Sequence, residues 1–188
     1  MDLKGVIYGV QLATHFMRFS PPFSTSASPT NTGEDNNNKK IVVTSSIAGS
    51  APHPSLPEYS AAKAGVIGFV RAVGPVLRDR EGIAISAICP GLAATAILPG
   101  FVCDAVGDEY LTPVGEVVDA YLGFLETEGV GRAGEVVEVV GTGSCEVVPP
   151  PKVRTELARV MMGRGMEPIF GALHSGGGES KVDLEGFF

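Results

Sequence analysis

Three short runs rich in β-branched residues, KIVVTS (40–45), IAISAI (83–88) and EVVEVV (135–140), are separated by stretches long enough to be helical. This alternation constrains the chain more than any other feature. Parallel strands need long crossovers, and helical crossovers cover the faces of the sheet. The expected fold is α/β, with about three parallel strands and flanking helices. The intervening segments support that reading. Leu3, Val6, Val10, Ala13 and Met17 recur at spacings of three and four, which predicts a helix over Leu3–Arg18. Tyr59–Leu77 reads as a long helix whose small residues (Ala61, Ala62, Ala64, Gly65, Gly68) permit close packing. Thr112-Pro113 reads as the start of another, with threonine as the cap, proline at the first helical position and an apolar stripe from Val114 to Leu125.

A length of 188 residues suits one domain with a single core. Within it, 20–39 is rich in proline, serine and asparagine and reads as a flexible polar insertion. A basic helix is expected over Lys152–Met162, and 163–188 is a glycine-rich tail without an assignable structure. The net charge of −7 disfavours a nucleic-acid partner. No apolar run approaches the roughly 18 residues of a membrane span, and Met1–Val10 shows no signal-peptide pattern, so a cytoplasmic protein is expected. The three cysteines, Cys89, Cys103 and Cys145, form no CxxC pair and no metal-ligand spacing, so neither a disulfide framework nor a metal site is expected.

The chemistry concentrates in TSSIAGSAPHPSLPEYSAAKAG, Thr44–Gly65. Tyr59 and Lys63 are four apart and share one face of a helix. An ammonium one turn from a phenol favours the phenolate, which suits Tyr59 to donate or accept a proton near neutral pH. Ser46 lies 13 positions earlier, at the carboxyl end of an expected strand, where open α/β sheets bind ligands. Its hydroxyl could hold a substrate oxygen beside the phenol. Alone, YxxxK is as readily a surface tyrosine beside a solvated lysine. Its weight comes from the serine, the small-residue helix and a following strand ended by Pro90-Gly91.

Taken in order, DLKGVIYG, IVVTSSIAG, YSAAKAGVIGFVRAV, GIAISAICPGLAAT, LTPVGEVVDAYLGFL and GEVVEVVG resemble the C-terminal two-thirds of a short-chain dehydrogenase/reductase. The branch that includes NAD-dependent 15-hydroxyprostaglandin dehydrogenase-like proteins is the most similar. The resemblance implies the C-terminal part of a Rossmann-like, doubly wound parallel sheet. It assigns Ser46 to polarise the reacting oxygen, Tyr59 to general acid/base catalysis and Lys63 to support Tyr59 and grip a nicotinamide ribose. Pro90, Gly91 and Thr95 would lie against the nicotinamide and its phosphate, with Ser45 and Leu92 as substrate contacts. It also implies homodimers or larger oligomers, built from the helices 3–18 and 59–77 or from the exposed strand edge near 40–45.

The sequence departs from that family where the dinucleotide should bind. No initial strand and TGxxxGxG loop is present to bring backbone N–H groups to a pyrophosphate. The glycines at 141, 143 and 176–178 follow the wrong elements. Asp2 stands where the family has a catalytic asparagine, and a carboxylate has no amide to donate. These departures predict an N-terminally truncated member that uses no cofactor as it stands, with NAD(P) entering only through a partner or a longer chain. The expected function is isomerisation, dehydration or cyclisation of a carbonyl-bearing small molecule, in secondary metabolism. The alternatives are an NAD(P)-dependent alcohol dehydrogenase or ketoreductase, and a non-catalytic dimerisation partner.

Overall fold

Every residue from Ile83 to Cys89 is buried, the burial of a strand covered on both faces. In the computed structural model, which describes residues 2–19, 39–141 and 145–156, this strand lies inside a sheet of four. The elements in chain order are α1 (Lys4–Phe19), β1 (Lys39–Thr44), α2 (Ile47–Ser50), α3 (Pro57–Glu81), β2 (Ile83–Pro90), α4 (Gly100–Val106), a 3-10 turn at Asp108–Tyr110, α5 (Val114–Glu126), β3 (Val136–Val139) and β4 (Cys145–Val147). The strands run β1-β2-β3-β4 across the sheet. β1, β2 and β3 are parallel, with Ile41 opposite Ile85 and Ile88 opposite Val137.

The two sheet faces are covered by different helices because strand side chains alternate in direction. Ile88, Val137 and Val139 pack with Val42, Val117, Ala120 and Tyr121, so this face belongs to α5. Ser45 turns the other way and donates from Oγ to the Lys63 carbonyl of α3 at 2.9 Å. This is the doubly wound arrangement. α3 begins at Pro57, where the missing N–H costs no helical hydrogen bond, and closes at Gly82 through the Leu77 and Arg78 carbonyls. By length and composition α3 could cross a membrane, but Val66, Val70, Val73 and Leu77 are buried, as in a core helix. α1 buries Val10 and Thr14, and a bidentate ion pair from Arg18 to Glu81 (3.0 and 2.7 Å) ties its last turn to that of α3.

On the opposite face, the end of α5 is held by cations. Lys40 Nζ donates to the carbonyls of Leu125, at 2.8 Å, and Thr127. Its ammonium and the Arg132 guanidinium both lie within 6 Å of the buried Phe124 ring. Carbonyls at a helix C-terminus lack intrahelical donors, so a lysine there satisfies both hydrogen bonding and the helix dipole.

Three sequence expectations change. β4 is a fourth strand, antiparallel to β3, whose three exposed residues carry no burial pattern to announce it. Thr112 does not cap α5. It is buried, its Oγ1 donates to the Val139 carbonyl at 3.4 Å, and Pro113 occupies the cap position without a side-chain bond. The structure comprises compact units at Met1–Val148 and Pro149–Phe188, and all the elements named above belong to the first. The boundary falls at Pro149-Pro150-Pro151, which offers no backbone donor to extend the sheet. In the second unit, Pro151–Arg154 are not helical, so a helix does not start at Lys152. Of the expected insertion at 20–39, Lys39 opens β1 and the rest lies outside the described residues, as does the tail at 163–188.

Candidate active site

The site is assembled around Lys63. Three consecutive residues at the end of β1 build the segment beside it. The Thr44 carbonyl accepts from Lys63 Nζ at 3.2 Å. Ser45 Oγ donates to the Lys63 carbonyl, and Ser46 caps α2 by accepting at Oγ from the Ala48 N–H at 3.2 Å. Gly49 then passes so close to α3 that a Cβ would lie 2.7 Å from the Lys63 carbonyl carbon and 2.8 Å from its oxygen. Ser50 closes the segment through a hydroxyl bond to the Glu138 carboxylate of β3. The ordering of α2 is thus fixed at both ends, and Ser46 sits in a segment docked on the helix that carries Tyr59.

Tyr59 is half-buried, and the Lys63 ammonium lies 5.5 Å from its ring centroid. The structure therefore joins the phenol and the ammonium through their shared helix face, and joins the lysine to the serine segment through Thr44, Ser45 and Gly49. Tyr59 also lines a cavity of about 590 Å³ with Asp2, Leu3, Lys4, Ile7, Glu58 and Ala62. This cavity lies between the first turns of α1 and α3. Sequence reasoning did not find it, because it depends on two segments some 55 residues apart.

The turn after β2 carries the other expected site residues. Gly91 N–H donates to the Val139 carbonyl at 2.8 Å, and Thr112 N–H donates to the Leu92 carbonyl at 2.7 Å. A Cβ on Gly91 would come within 2.6 Å of Thr112 Oγ1, so only glycine lets the threonine clasp this turn. Thr112 is the positioning residue that the sequence reading took for a helix cap. Thr95 is exposed, and its carbonyl accepts from Leu98 N–H. Beyond it, the segment that would cover the site exposes Ile97, Phe101 and Tyr110.

Ser45 was expected to touch substrate. It is only 3% exposed and its hydroxyl faces α3, so it positions Lys63 and is closed to a ligand. Cys89, beside Pro90, is no nucleophile. Burial pushes its thiol up to about 11, only partly opposed by hydrogen bonding from Ser45.

Lys63, Pro90, Gly91 and Thr95, the residues expected at the nicotinamide end of a dinucleotide site, are all present among the described residues. The pyrophosphate end does not fit the described residues. β1 leads through Ser45-Ser46 into a helix of four residues, and β3 turns back into antiparallel β4. Neither offers a glycine turn running from a parallel strand into a long helix, which is what a dinucleotide phosphate needs.

Comparison with known proteins agrees with this geometry. Residues 3–102 match the family model for short chain dehydrogenase. The chain is 40% identical over 138 residues to short-chain dehydrogenase/reductase prx6 of Penicillium rubens, which is 73% of this chain and 41% of that protein. It is 45% identical over 55 residues to 3-oxoacyl-[acyl-carrier-protein] reductase of Synechocystis, covering 29% of this chain and 22% of that protein. Among solved structures, 3-hydroxyacyl-CoA dehydrogenase type-2 from Mycobacterium avium superposes with a TM-score of 0.58 at 26% identity, over 80% of this chain and 55% of that one. The chain thus spans less than half the length of the curated relatives it matches. A matched family model over more than half of its residues, on a sheet of the same architecture, establishes that the chain belongs to the short-chain dehydrogenase family.

Proposed function

We propose that the chain acts on a carbonyl-bearing small molecule by acid/base chemistry, with Tyr59 moving the proton at the substrate oxygen. The observation that carries this reading is the Lys63 ammonium held 5.5 Å from the Tyr59 ring while its Nζ is anchored on the Thr44 carbonyl. A hydroxyl and a fixed cation that share one helix face suit proton transfer at an oxygen. Ser46, one residue beyond the Ser45–Lys63 contact, is the hydroxyl that would steady the same oxygen. This machinery needs no nicotinamide for isomerisation, dehydration or cyclisation. A role in secondary metabolism follows as part of this proposal.

A second reading, NAD(P)-dependent oxidation or reduction in a longer or two-chain assembly, is favoured by the clasped Pro90-Gly91 turn and by the reductase relative. Both readings give Tyr59 the same proton. They part on cofactor binding, so the test is fluorescence titration of NADH and NADPH into the 188-residue chain. No binding at micromolar concentrations, with turnover lost in Tyr59→Phe, is the expected result. Micromolar binding would replace the first reading with the second.

We also propose that the chain self-associates. Tyr8, Leu12, Phe16 and Phe19 recur on α1 with exposures from 56 to 74%, and β1 pairs only with β2, leaving its other edge open among the described residues. Exposed apolar stripes and open strand edges favour association. A monomer by sedimentation at tens of micromolar would refute it.

A further inference from the structure

We propose that the cavity between α1 and α3 holds an apolar, enolisable aldehyde or ketone, and that Asp2 is the base that removes its α-proton. This rests on the acid/base reading of Tyr59. Enolisation needs two groups at once, an acid at the carbonyl oxygen and a base at the neighbouring carbon. The Ser46–Tyr59–Lys63 set supplies the first and lacks the second. Lys63 is a cation donating to Thr44, and the Ser46 oxygen accepts from the Ala48 N–H.

The cavity supplies what is missing. Asp2 and Tyr59 both line it, one from the segment that opens α1 and the other from α3, so a molecule held there meets both residues. Leu3, Ile7 and Ala62 make the remaining surface mostly apolar, which suits a hydrocarbon body. Asp2 is held in place by its neighbour. Leu3 lies so close to Gly65 of α3 that a Cβ there would stand 2.8 Å from Leu3 Cδ2. Asp2 has no hydrogen bond or ion pair among the described residues, whereas Lys4 is engaged with the Tyr8 ring at 5.5 Å from its centroid. Glu58, the other carboxylate lining the cavity, adjoins Tyr59 on the same helix. Successive helical residues diverge by about 100° around the axis, so Asp2, which comes from a different segment, is the better placed to work opposite the phenol.

The step balances without a co-reactant. The Asp2 carboxylate takes a proton from the α-carbon as the Tyr59 hydroxyl gives one to the carbonyl oxygen, forming an enol and a phenolate. Return of the carboxyl proton to carbon and of the enol proton to Tyr59 yields the carbonyl again, with the α-hydrogen exchanged or its configuration or double bond moved. Nothing is oxidised or reduced.

The test is α-hydrogen exchange of 2-tetralone in D2O, followed by proton NMR with the full chain and no nicotinamide. Exchange above the buffer rate is expected. General base catalysis is typically worth about 10²–10⁴-fold, so Asp2→Asn should remove most of the enhancement, and Asp2→Glu should restore part of it. Ala62→Leu, which fills the cavity from α3, should raise the 2-tetralone concentration needed for half-maximal exchange. Full exchange in Asp2→Asn with loss in Tyr59→Phe would overturn the role of Asp2 and leave Tyr59 standing. Full exchange in Tyr59→Phe would overturn the underlying function. A larger loss in Glu58→Gln than in Asp2→Asn would move the base to Glu58, and no exchange in the wild type would overturn the substrate class. Asp2 is exposed, so its substitution leaves the core untouched, and an unchanged melting temperature verifies this.

Discussion

Replacing Gly49 by alanine perturbs the joint that holds the site together. The new Cβ would stand 2.7 Å from the Lys63 carbonyl carbon, 2.8 Å from its oxygen and 2.9 Å from Ile67 Cδ1. Carbon contacts are optimal near 3.5–4.0 Å, so α2 must recede from α3 by about 1 Å. Two of the three opposing atoms are backbone and have no rotamer to escape into. Overpacking of this kind costs about 1–3 kcal/mol. For a unit of this size the melting temperature falls by about 3 °C per kcal/mol, which predicts a loss of about 3–9 °C by calorimetry. The same retreat carries Ser46 away from Tyr59, and a misplacement of about 1 Å can cost about 10²-fold in rate. Gly49→Ala should therefore lose activity by more than its unfolded fraction explains, while Gly68→Ala, where a Cβ meets nothing within 4 Å, should lose neither. A Gly49→Ala protein with wild-type melting and wild-type rate would refute the claim that α2 is seated on Lys63.

Three other outcomes follow from the described contacts. Arg18 holds the Glu81 carboxyl below its usual range, chiefly through their hydrogen bonds. A depressed carboxylate stabilises the fold above its unfolded value and loses that contribution as the pH falls through the folded one. Glu81→Gln should accordingly lower stability by about 0.5–1 kcal/mol at neutral pH and flatten the acid limb of the urea midpoint against pH, a limb that stays unchanged if the pair contributes nothing. Thr14 Oγ1 is buried with no hydrogen-bond partner among the described residues, and a lone buried hydroxyl costs about 1–3 kcal/mol. Thr14→Val should raise the melting temperature, and a fall would show that the hydroxyl is satisfied. Alkylation by iodoacetamide at pH 8, read by peptide mass spectrometry, should modify exposed Cys145 and spare Cys89 until urea unfolds the chain.

The parts legible in the sequence were those in which side chains declare their surroundings. IAISAI announced a strand because β-branched and apolar residues crowd it, and it forms the buried β2. The four-residue spacing of Tyr59 and Lys63 announced a shared helix face for the same geometric reason. What stayed hidden was work done by groups that every residue has. The Lys63 ammonium is anchored by the carbonyl of Thr44, which no substitution of that side chain would reveal. Thr112 looked like a cap because it precedes a proline, and its true partners are the backbones of Leu92 and Val139, some 20 and 27 positions away. β4 is short and exposed, so no periodicity marked it. The cavity beside Tyr59 escaped because its walls come from two helices that meet only after folding.

The central claim is that the substrate oxygen is received by the Tyr59 phenol. A crystal structure of the chain soaked with 2-tetralone tests it most directly. The account predicts the ketone oxygen at about 2.6–3.2 Å from Tyr59 Oη. A ketone bound with its oxygen turned away from Tyr59 would contradict it.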